Sequence, residues 1–198
     1  FSLTDREPEL SYSLTWQDRS TISFDFEEGY LKLLEPFDPT NTGGAEYPAG
    51  SEFNWTEVAF TYTSTMRRLF TFMATGRYGG YFDGTRTSFS ADINYRVQPY
   101  GSISLMTTYH RILQPEPYTS TDLILVGPRL DITFTEKLFF TTFVQYNNQI
   151  DNVNVNMRFQ WRFAPVSDLF IVYTENSYPE GFTTKNRGLV VKLSYWFN

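Results

Sequence analysis

Apolar and polar residues alternate with a period of two along most of the chain. Between positions 153 and 163, every odd position from Val153 to Phe163 is apolar and every even position from Asn154 to Arg162 is polar. Positions 86–97 and 187–197 repeat the pattern. Successive side chains of a β-strand point to opposite faces, whereas a helix face recurs every 3.6 residues. The alternation therefore predicts an all-β chain built from amphipathic strands.

The predicted strands are long and numerous. Most run about 9–13 residues, the length that a tilted strand needs to cross a bilayer, whereas strands of soluble sheets usually have about five or six. Long connections at 34–52 and 177–186 and an intermediate one at 114–120 contrast with short turns elsewhere, among them Asp83–Gly84 and Asp151–Asn152. Outer-membrane barrels likewise have short periplasmic turns and longer outer loops. The eleven segments are 9–17, 20–33, 53–63, 69–81, 85–97, 101–113, 121–134, 138–148, 152–163, 169–176 and 187–197. We predict one domain over 1–198, an antiparallel up-and-down transmembrane β-barrel without a second domain.

The two faces of these strands differ in chemistry. The apolar face is expected to contact lipid, through Phe89, Ile93, Tyr95, Val155, Phe159, Trp161, Leu193, Tyr195 and Phe197. The polar face is expected to line a hydrated lumen, through Arg77, Arg86, Asp92, Arg96, His110, Arg129, Asp131, Asn156, Arg158, Arg162 and Lys192. Aromatic residues make up 19% of the chain. Those on the apolar face fall near both ends of the predicted strands, as in the aromatic girdles of membrane barrels.

A soluble β-sandwich or lipocalin-like barrel is the alternative fold, because its strands alternate in the same way. In those folds the apolar face points inward and water wets the other face. Here the sequence offers no further apolar segment to cover the apolar face of the strands, and six arginines lie on the polar face. Lipid is therefore the favoured cover for the apolar face.

Composition and chemical motifs narrow the function. The net charge of −6 without a basic run argues against nucleic acid as a partner, and the lack of cysteine fits passage through an oxidising periplasm. The chain does not begin like a signal peptide, so we expect a mature or truncated protein. His110 is the single histidine, and no catalytic, metal-ligand or phosphate-binding motif accompanies it. We therefore predict no catalytic residue, metal or cofactor, and an outer-membrane hydrolase is the least favoured class.

Two polar features have competing interpretations. The predicted lumen face carries more Arg and Lys than acids, and a positive wall favours anions in a pore. Alternatively, its Arg and Asp side chains pair across strands and brace the barrel. The asparagine-rich stretch 147–156 is a candidate sugar-binding segment. Its alternative role is to face water or to pair across the lumen.

The chain resembles known outer-membrane sequences. Gly188–Asn198 resembles the C-terminal signal read by the barrel-insertion machinery, although Asn198 follows the usual final aromatic, Phe197. Further segments are similar to a Bacteroidota outer-membrane family with an N-terminal carbohydrate-binding-family-9-like domain and a C-terminal barrel of unassigned function. These segments are Leu34–Phe37, Gly79–Arg86, Gln145–Gln149 and Arg158–Tyr173. The resemblance spans about 30–198 and implies a barrel in a Gram-negative outer membrane, but no activity and no ligand residues. The final strand of such barrels ends in the periplasm, so we expect a periplasmic C-terminus and extracellular long loops.

Two function classes remain at this point. The first is a porin-like pore or transport component for small solutes. The second is a structural anchor or assembly partner for a carbohydrate-binding-like domain or a larger outer-membrane complex. The expected partners are membrane lipid, the insertion machinery through the C-terminal strand, and other outer-membrane subunits.

The strand count carries one further expectation. Single-chain bacterial barrels have an even number of strands because both ends are periplasmic. Eleven strands leave the first one, at 9–17, without an ascending predecessor, and residues 1–8 are too polar and too short to supply it. We therefore expect these residues to be the C-terminal portion of a larger barrel, with an open sheet whose first strand lacks a neighbour.

Overall fold

A computed structural model describes residues 3–197, which form twelve β-strands and no helix. All eleven predicted strands are present, and their ends lie within a few residues of the predicted ones. Asn198, the last residue of the resemblance to the insertion signal, lies outside the described residues. The strands are β1 Asp5–Arg6, β2 Glu9–Thr15, β3 Thr21–Lys32, β4 Glu52–Thr63, β5 Phe70–Tyr81, β6 Gly84–Val97, β7 Gly101–Leu113, β8 Thr121–Thr135, β9 Leu138–Asn147, β10 Asn152–Ala164, β11 Ser167–Ser177 and β12 Thr184–Ser194.

The strands form a single antiparallel sheet with up-and-down order. The order is β1-β3-β4-β5-β6-β7-β8-β9-β10-β11-β12, and β2 also pairs with β3. This order is linear, and no ladder within residues 3–197 closes it into a ring. The prediction of an all-β, up-and-down sheet is confirmed. The expectation of an open sheet is confirmed as well, because β1 and β2, at the first edge, pair with β3 only.

β1 corrects the prediction that no strand precedes residue 9. Asp5 and Arg6 pair with Leu31 and Tyr30 of β3, and β2 continues along the same strand with Glu9 opposite Glu27. Proline has no N–H to donate to a ladder, and Pro8 lies at the break between β1 and β2. The two strands therefore share one edge of β3, so twelve strands occupy eleven positions across the sheet.

Two tight turns place bulky residues in the left-handed region of backbone space. Phe82 has φ 56° between β5 and β6, and Val166 has φ 56° between β10 and β11. Short hairpin turns usually take Asn, Asp or Gly at such positions. The first turn is formed by Phe82 and Asp83, one residue earlier than the Asp83–Gly84 turn that the sequence predicts. Phe82 is only 7% exposed, so ring burial stabilises a conformation that its side chain disfavours.

The chain divides into two compact units. The first unit comprises Phe1–Arg67, Phe72–Ala91 and Thr108–Leu123, and the second comprises Arg68–Thr71, Asp92–Thr107 and Ile124–Asn198. The buried hydrophobic cluster lies in the first unit and consists of Leu33, Tyr47, Phe53 and Phe82. The prediction of one domain over 1–198 stays a prediction.

Candidate functional site

In the first unit, the centre of β4 buries a carboxylate and exposes apolar side chains on its other face. Val58 and Phe60 are 51% and 42% exposed, whereas Glu57 between Thr56 and Val58 is 1% exposed. The partners across the ladder follow the same division, since Phe24 pairs with Phe60 and Glu27 pairs with Glu57. A soluble sheet buries its apolar face and leaves carboxylates in water. At Glu57, Val58 and Phe60 the arrangement is the reverse, although Phe53 and Ala59 are buried on the same face as Glu57.

The predicted lipid-facing residues share one face where the register is resolved. In β9–β12, one row of cross-strand neighbours is Phe140, Phe159, Ile171 and Val191, and another is Leu138, Trp161, Leu169 and Leu193. Ile93, Val155 and Phe159 are half-buried. Six of the nine candidates are exposed, namely Phe89, Tyr95, Trp161, Leu193, Tyr195 and Phe197.

Aromatic rings form a continuous series at one end of this face in the second unit. Trp161 and Phe163 lie 5.7 Å apart between ring centroids, Phe163 and Tyr195 lie 6.3 Å apart, and Tyr195 and Phe197 lie 4.6 Å apart. Towards the other end, the same face changes from apolar to charged, where Glu175 pairs with Arg187. The apolar rows therefore lie between a ring series and a charged row.

The buried carboxylate of Glu57 is the centre of an ion cluster on the polar face of the first unit. Arg77 donates from Nη1 to Glu57 Oε2 at 2.8 Å and to Glu27 Oε2 at 3.2 Å. Arg86 donates from Nε to Oε1 of Glu57 at 3.1 Å and from Nη2 to Oε2 at 3.0 Å. Gly79 is the ladder partner of Glu57, and a Cβ there would lie 2.8 Å from the Glu57 Cβ. The absence of a side chain at Gly79 leaves room beside this carboxylate.

An aromatic ring and a Ser–His pair lie near the ion cluster. The guanidinium carbon of Arg86 lies 4.4 Å from the centroid of the Tyr81 ring, a cation–π contact with the neighbouring aromatic residues. On the same parity of β6, Ser88 Oγ lies 2.7 Å from Nδ1 of His110. His110 is half-buried, and Ser88 is a polar neighbour of its ring. Nucleophilic catalysis would need an orienting acid and oxyanion donors in addition to a Ser–His contact of this kind.

The β3–β4 loop, residues 33–51, packs its aromatic side chains against the ends of neighbouring strands. Tyr47 is 2% exposed. Its ring stacks on Tyr118 at 3.5 Å and meets Phe53 edge-on at 4.8 Å, and its hydroxyl donates to Gln114 Oε1 at 2.9 Å. Burial, with the negative charge of Asp83, raises the pKa of Tyr47 to about 12. Tyr47 is therefore a neutral anchor that fixes this loop to the first unit.

Asp38 organises the backbone of the same loop. Its Oδ1 accepts from the N–H and the hydroxyl of Thr40 at 2.8 and 2.6 Å. Its Oδ2 accepts from the backbone N–H groups of Thr42, Gly43 and Gly44 at 3.0–3.1 Å. Burial acts to raise the pKa of Asp38, but the hydrogen bonds from Thr40, Gly44 and Thr42 outweigh it and lower that pKa. The ionised carboxylate thus holds the loop in its observed conformation.

The polar face of the second unit holds paired and exposed charges together. Arg129 donates to both oxygens of Asp131 at 2.8 and 3.0 Å, and Thr141 donates to Asp131 at 2.8 Å. Arg162 Nε lies 3.4 Å from Asp168 Oδ1. The predicted polar-face residues that are exposed in this unit are Asp92, Arg129, Asn156, Arg158, Arg162 and Lys192.

The structure brings together some of the predicted polar-face residues. Arg77 and Arg86 meet at Glu57. Asp131 and Arg158 face the same row, since each pairs with Thr141. The half-buried Arg96 donates to the backbone oxygen of Arg68 at 2.6 Å.

Glu57 itself was not among the predicted site residues. It lies on the parity of Phe53, Trp55 and Ala59, which makes that face look apolar in the sequence. The available signal was a lone charge in the middle of a strand whose other face, at Val58 and Phe60, is also apolar.

Comparisons with protein-family models, curated proteins and solved structures found no match for this chain. Within residues 3–197, no group of three or more His, Cys, Asp or Glu side chains is arranged to hold a metal ion. In the described part of the chain, no helix has the length and apolar character needed to cross a membrane.

Proposed function

We propose that this chain is the membrane-embedded β-sheet of a Gram-negative outer-membrane barrel, of the Bacteroidota type that its sequence resembles. The observation that carries the proposal is the exposure of the apolar Val58 and Phe60 on one face of β4, opposite the buried Glu57. Water does not stabilise such an apolar surface, whereas lipid does. The C-terminus lies in the periplasm and the long loops lie outside the cell.

The dimensions of the apolar face support a lipid contact. Along β12, the apolar side chains of Leu189, Val191 and Leu193 lie between Arg187 and Tyr195. An extended chain of this length spans about 26 Å at ~3.3 Å per residue. A tilt of about 40° reduces this to about 20 Å, close to the apolar band of about 25 Å in outer-membrane barrels.

Within this barrel, a pore or transport component for small solutes is the function supported best. The second unit exposes Asn156, Arg158 and Lys192 on its polar face, as a water-filled lumen requires. A structural anchor is the second candidate. It is favoured by the first unit, where the Glu57 cluster and the β3–β4 loop cover the polar face.

A matched pair of arginine substitutions tests the lipid contact. Phe159→Arg should destabilise the protein refolded into lipid vesicles by about 2–4 kcal/mol, the usual effect of a cation at the lipid midplane. Asn156→Arg, three residues earlier on the opposite face, should change stability by less than about 0.5 kcal/mol. Urea titration of both variants gives the comparison. Equal sensitivity at the two positions would contradict the proposal.

Planar-bilayer conductance of the full-length protein separates the pore from the anchor. A pore should give discrete conductance steps and a reversal potential under a salt gradient that indicates anion preference, because its polar wall is positive. Arg158→Glu should weaken that preference. A protein that inserts without conductance would favour the anchor, and cation preference in the unmutated protein would contradict the positive pore.

A further inference from the structure

Amide side chains form a row across three strands on the polar face of the second unit. Asn154 of β10 pairs with Asn176 of β11, and Asn176 pairs with Asn186 of β12. Nδ2 of Asn154 donates to Asn176 Oδ1 at 3.0 Å, and Nδ2 of Asn176 donates to Asn186 Oδ1 at 2.8 Å. Asn152 also donates to Asn176 Oδ1, at 3.1 Å. We call these four residues the amide row.

The amide row is well suited to bind ligand hydroxyls. Asparagine is depleted in strands, so asparagines in register across neighbouring strands are not explained by strand propensity. A primary amide has two N–H donors and an oxygen that accepts two bonds, so an amide that gives one N–H to its neighbour keeps a second for a ligand. Asn186 is exposed and the other three residues are half-buried. The mutual bonds therefore orient the amides while leaving them accessible.

One aromatic ring lies next to the amide row, and two more lie farther along the same face. Phe143 of β9 pairs with Asn156, two residues from Asn154, whereas Phe139 and Phe170 both pair with Gln160, six residues from Asn154. Cross-strand partners share a face, so Phe143 adjoins the amides, and the other two rings lie roughly 20 Å along the strand. Apolar rings beside a few oriented polar groups are the usual lining of small-molecule sites.

The combination of oriented amides and an adjacent aromatic ring indicates the chemical class of the ligand. Sugars carry hydroxyls that both donate and accept, together with C–H faces that pack on aromatic rings. The amide row is uncharged, so it matches hydroxyls better than carboxylates or phosphates, which prefer Arg and Lys. We propose that the polar face of β9–β12 binds neutral oligosaccharides through the amide row and the neighbouring Phe143 ring, with Phe139 and Phe170 farther along the same face. The inference rests on the proposed function in one respect, namely that this face is in water.

Titration of the refolded full-length chain in detergent micelles tests the inference. Maltohexaose, cellohexaose and xylohexaose are added up to about 10 mM, a range that captures weak binding, while the 15N–1H signals of the side-chain amides are followed. At least one sugar should shift the signals of the amide row. Asn176→Ala should weaken that binding about tenfold, because it removes the amide that orients its neighbours.

Control variants show whether a loss of sugar binding is specific to the amide row. Asn54→Ala makes the same change at an exposed position of β4 in the first unit and should leave the affinity unchanged. Asn154→Ala gives a second test if the Asn176 variant does not refold. No shift with any of the three sugars, or equal weakening by Asn54→Ala, would overturn the inference. A protein that still resists urea in vesicles but binds no sugar would refute this inference alone and leave the membrane proposal standing.

Discussion

Each unit has a polar face, and the two faces differ in exposure. The first unit covers its polar face, with Glu57 at 1% and Tyr47 at 2% exposure, while the second leaves Asn156, Arg158 and Lys192 exposed. In the strands of both units, successive side chains alternate between the two faces. Alternation therefore determines which face a side chain occupies, whereas the neighbouring residues and loops determine whether that face is filled.

The largest expected difference between the units comes from removing the ring that anchors the loop. Tyr47→Ala should destabilise the protein by about 3–5 kcal/mol, as large aromatic truncations in packed clusters do. The matched change in the second unit is Tyr178→Ala. Tyr178 is 50% exposed and contacts Lys185 at 4.3 Å, so its loss should cost about 1 kcal/mol or less.

Urea unfolding in vesicles measures both tyrosine variants, and hydrogen exchange shows which residues lose protection. Exchange should increase around the β3–β4 loop in the Tyr47 variant only. Similar effects of the two substitutions would remove the distinction between a filled and an open face.

The second prediction concerns the buried charge. Glu57→Gln leaves Arg77 and Arg86 without their shared carboxylate and should cost about 2–3 kcal/mol, below the ~3–5 kcal/mol of fully buried pairs because both arginines are partly exposed. Asp168→Asn is the control in the second unit. Its contact with the exposed Arg162 is longer, at 3.4 Å, so the change should cost about 0–1 kcal/mol.

The same urea titration decides between these two values. A Glu57 variant as stable as the Asp168 variant would show that the ion cluster is not needed to hold the first unit together.

Much of this fold could be predicted from the sequence, and the failures share a physical cause. Strand positions depend on local patterns, so all eleven strands could be located from the sequence. This includes 169–176, although Phe170 and Val172 interrupt its alternation. The turn at Phe82 and the ion cluster at Glu57 depend on non-local packing. Phe82 adopts a left-handed conformation because a cluster of distant residues buries its ring, and Glu57 is buried because two arginines from other strands reach it. A one-dimensional pattern does not contain these contacts.

The smallest expected effect is a pH dependence of the β3–β4 loop. The pKa of Asp38 is lowered in the folded protein, so its contribution to stability is complete above the unfolded pKa of about 3.9 and is lost as the pH falls through the lower folded pKa. Hydrogen exchange of the amides of Thr42, Gly43 and Gly44 should therefore speed up below about pH 4, after correction for intrinsic rates. Asp38→Asn should remove this dependence. A wild-type loop whose protection is unchanged at pH 2–3 would contradict this role.

The central claim, that the apolar face contacts lipid while the polar face contacts water, has a direct test. The chain contains no cysteine, so single cysteines at Phe159 and at Arg158 can carry a spin label without background. In vesicles, the label at Phe159 should be relaxed mainly by oxygen, which concentrates in lipid, and the label at Arg158 mainly by a water-soluble nickel complex. The account predicts this opposite response at two adjacent residues. A reversed response, or equal access of the nickel complex to both labels, would contradict it.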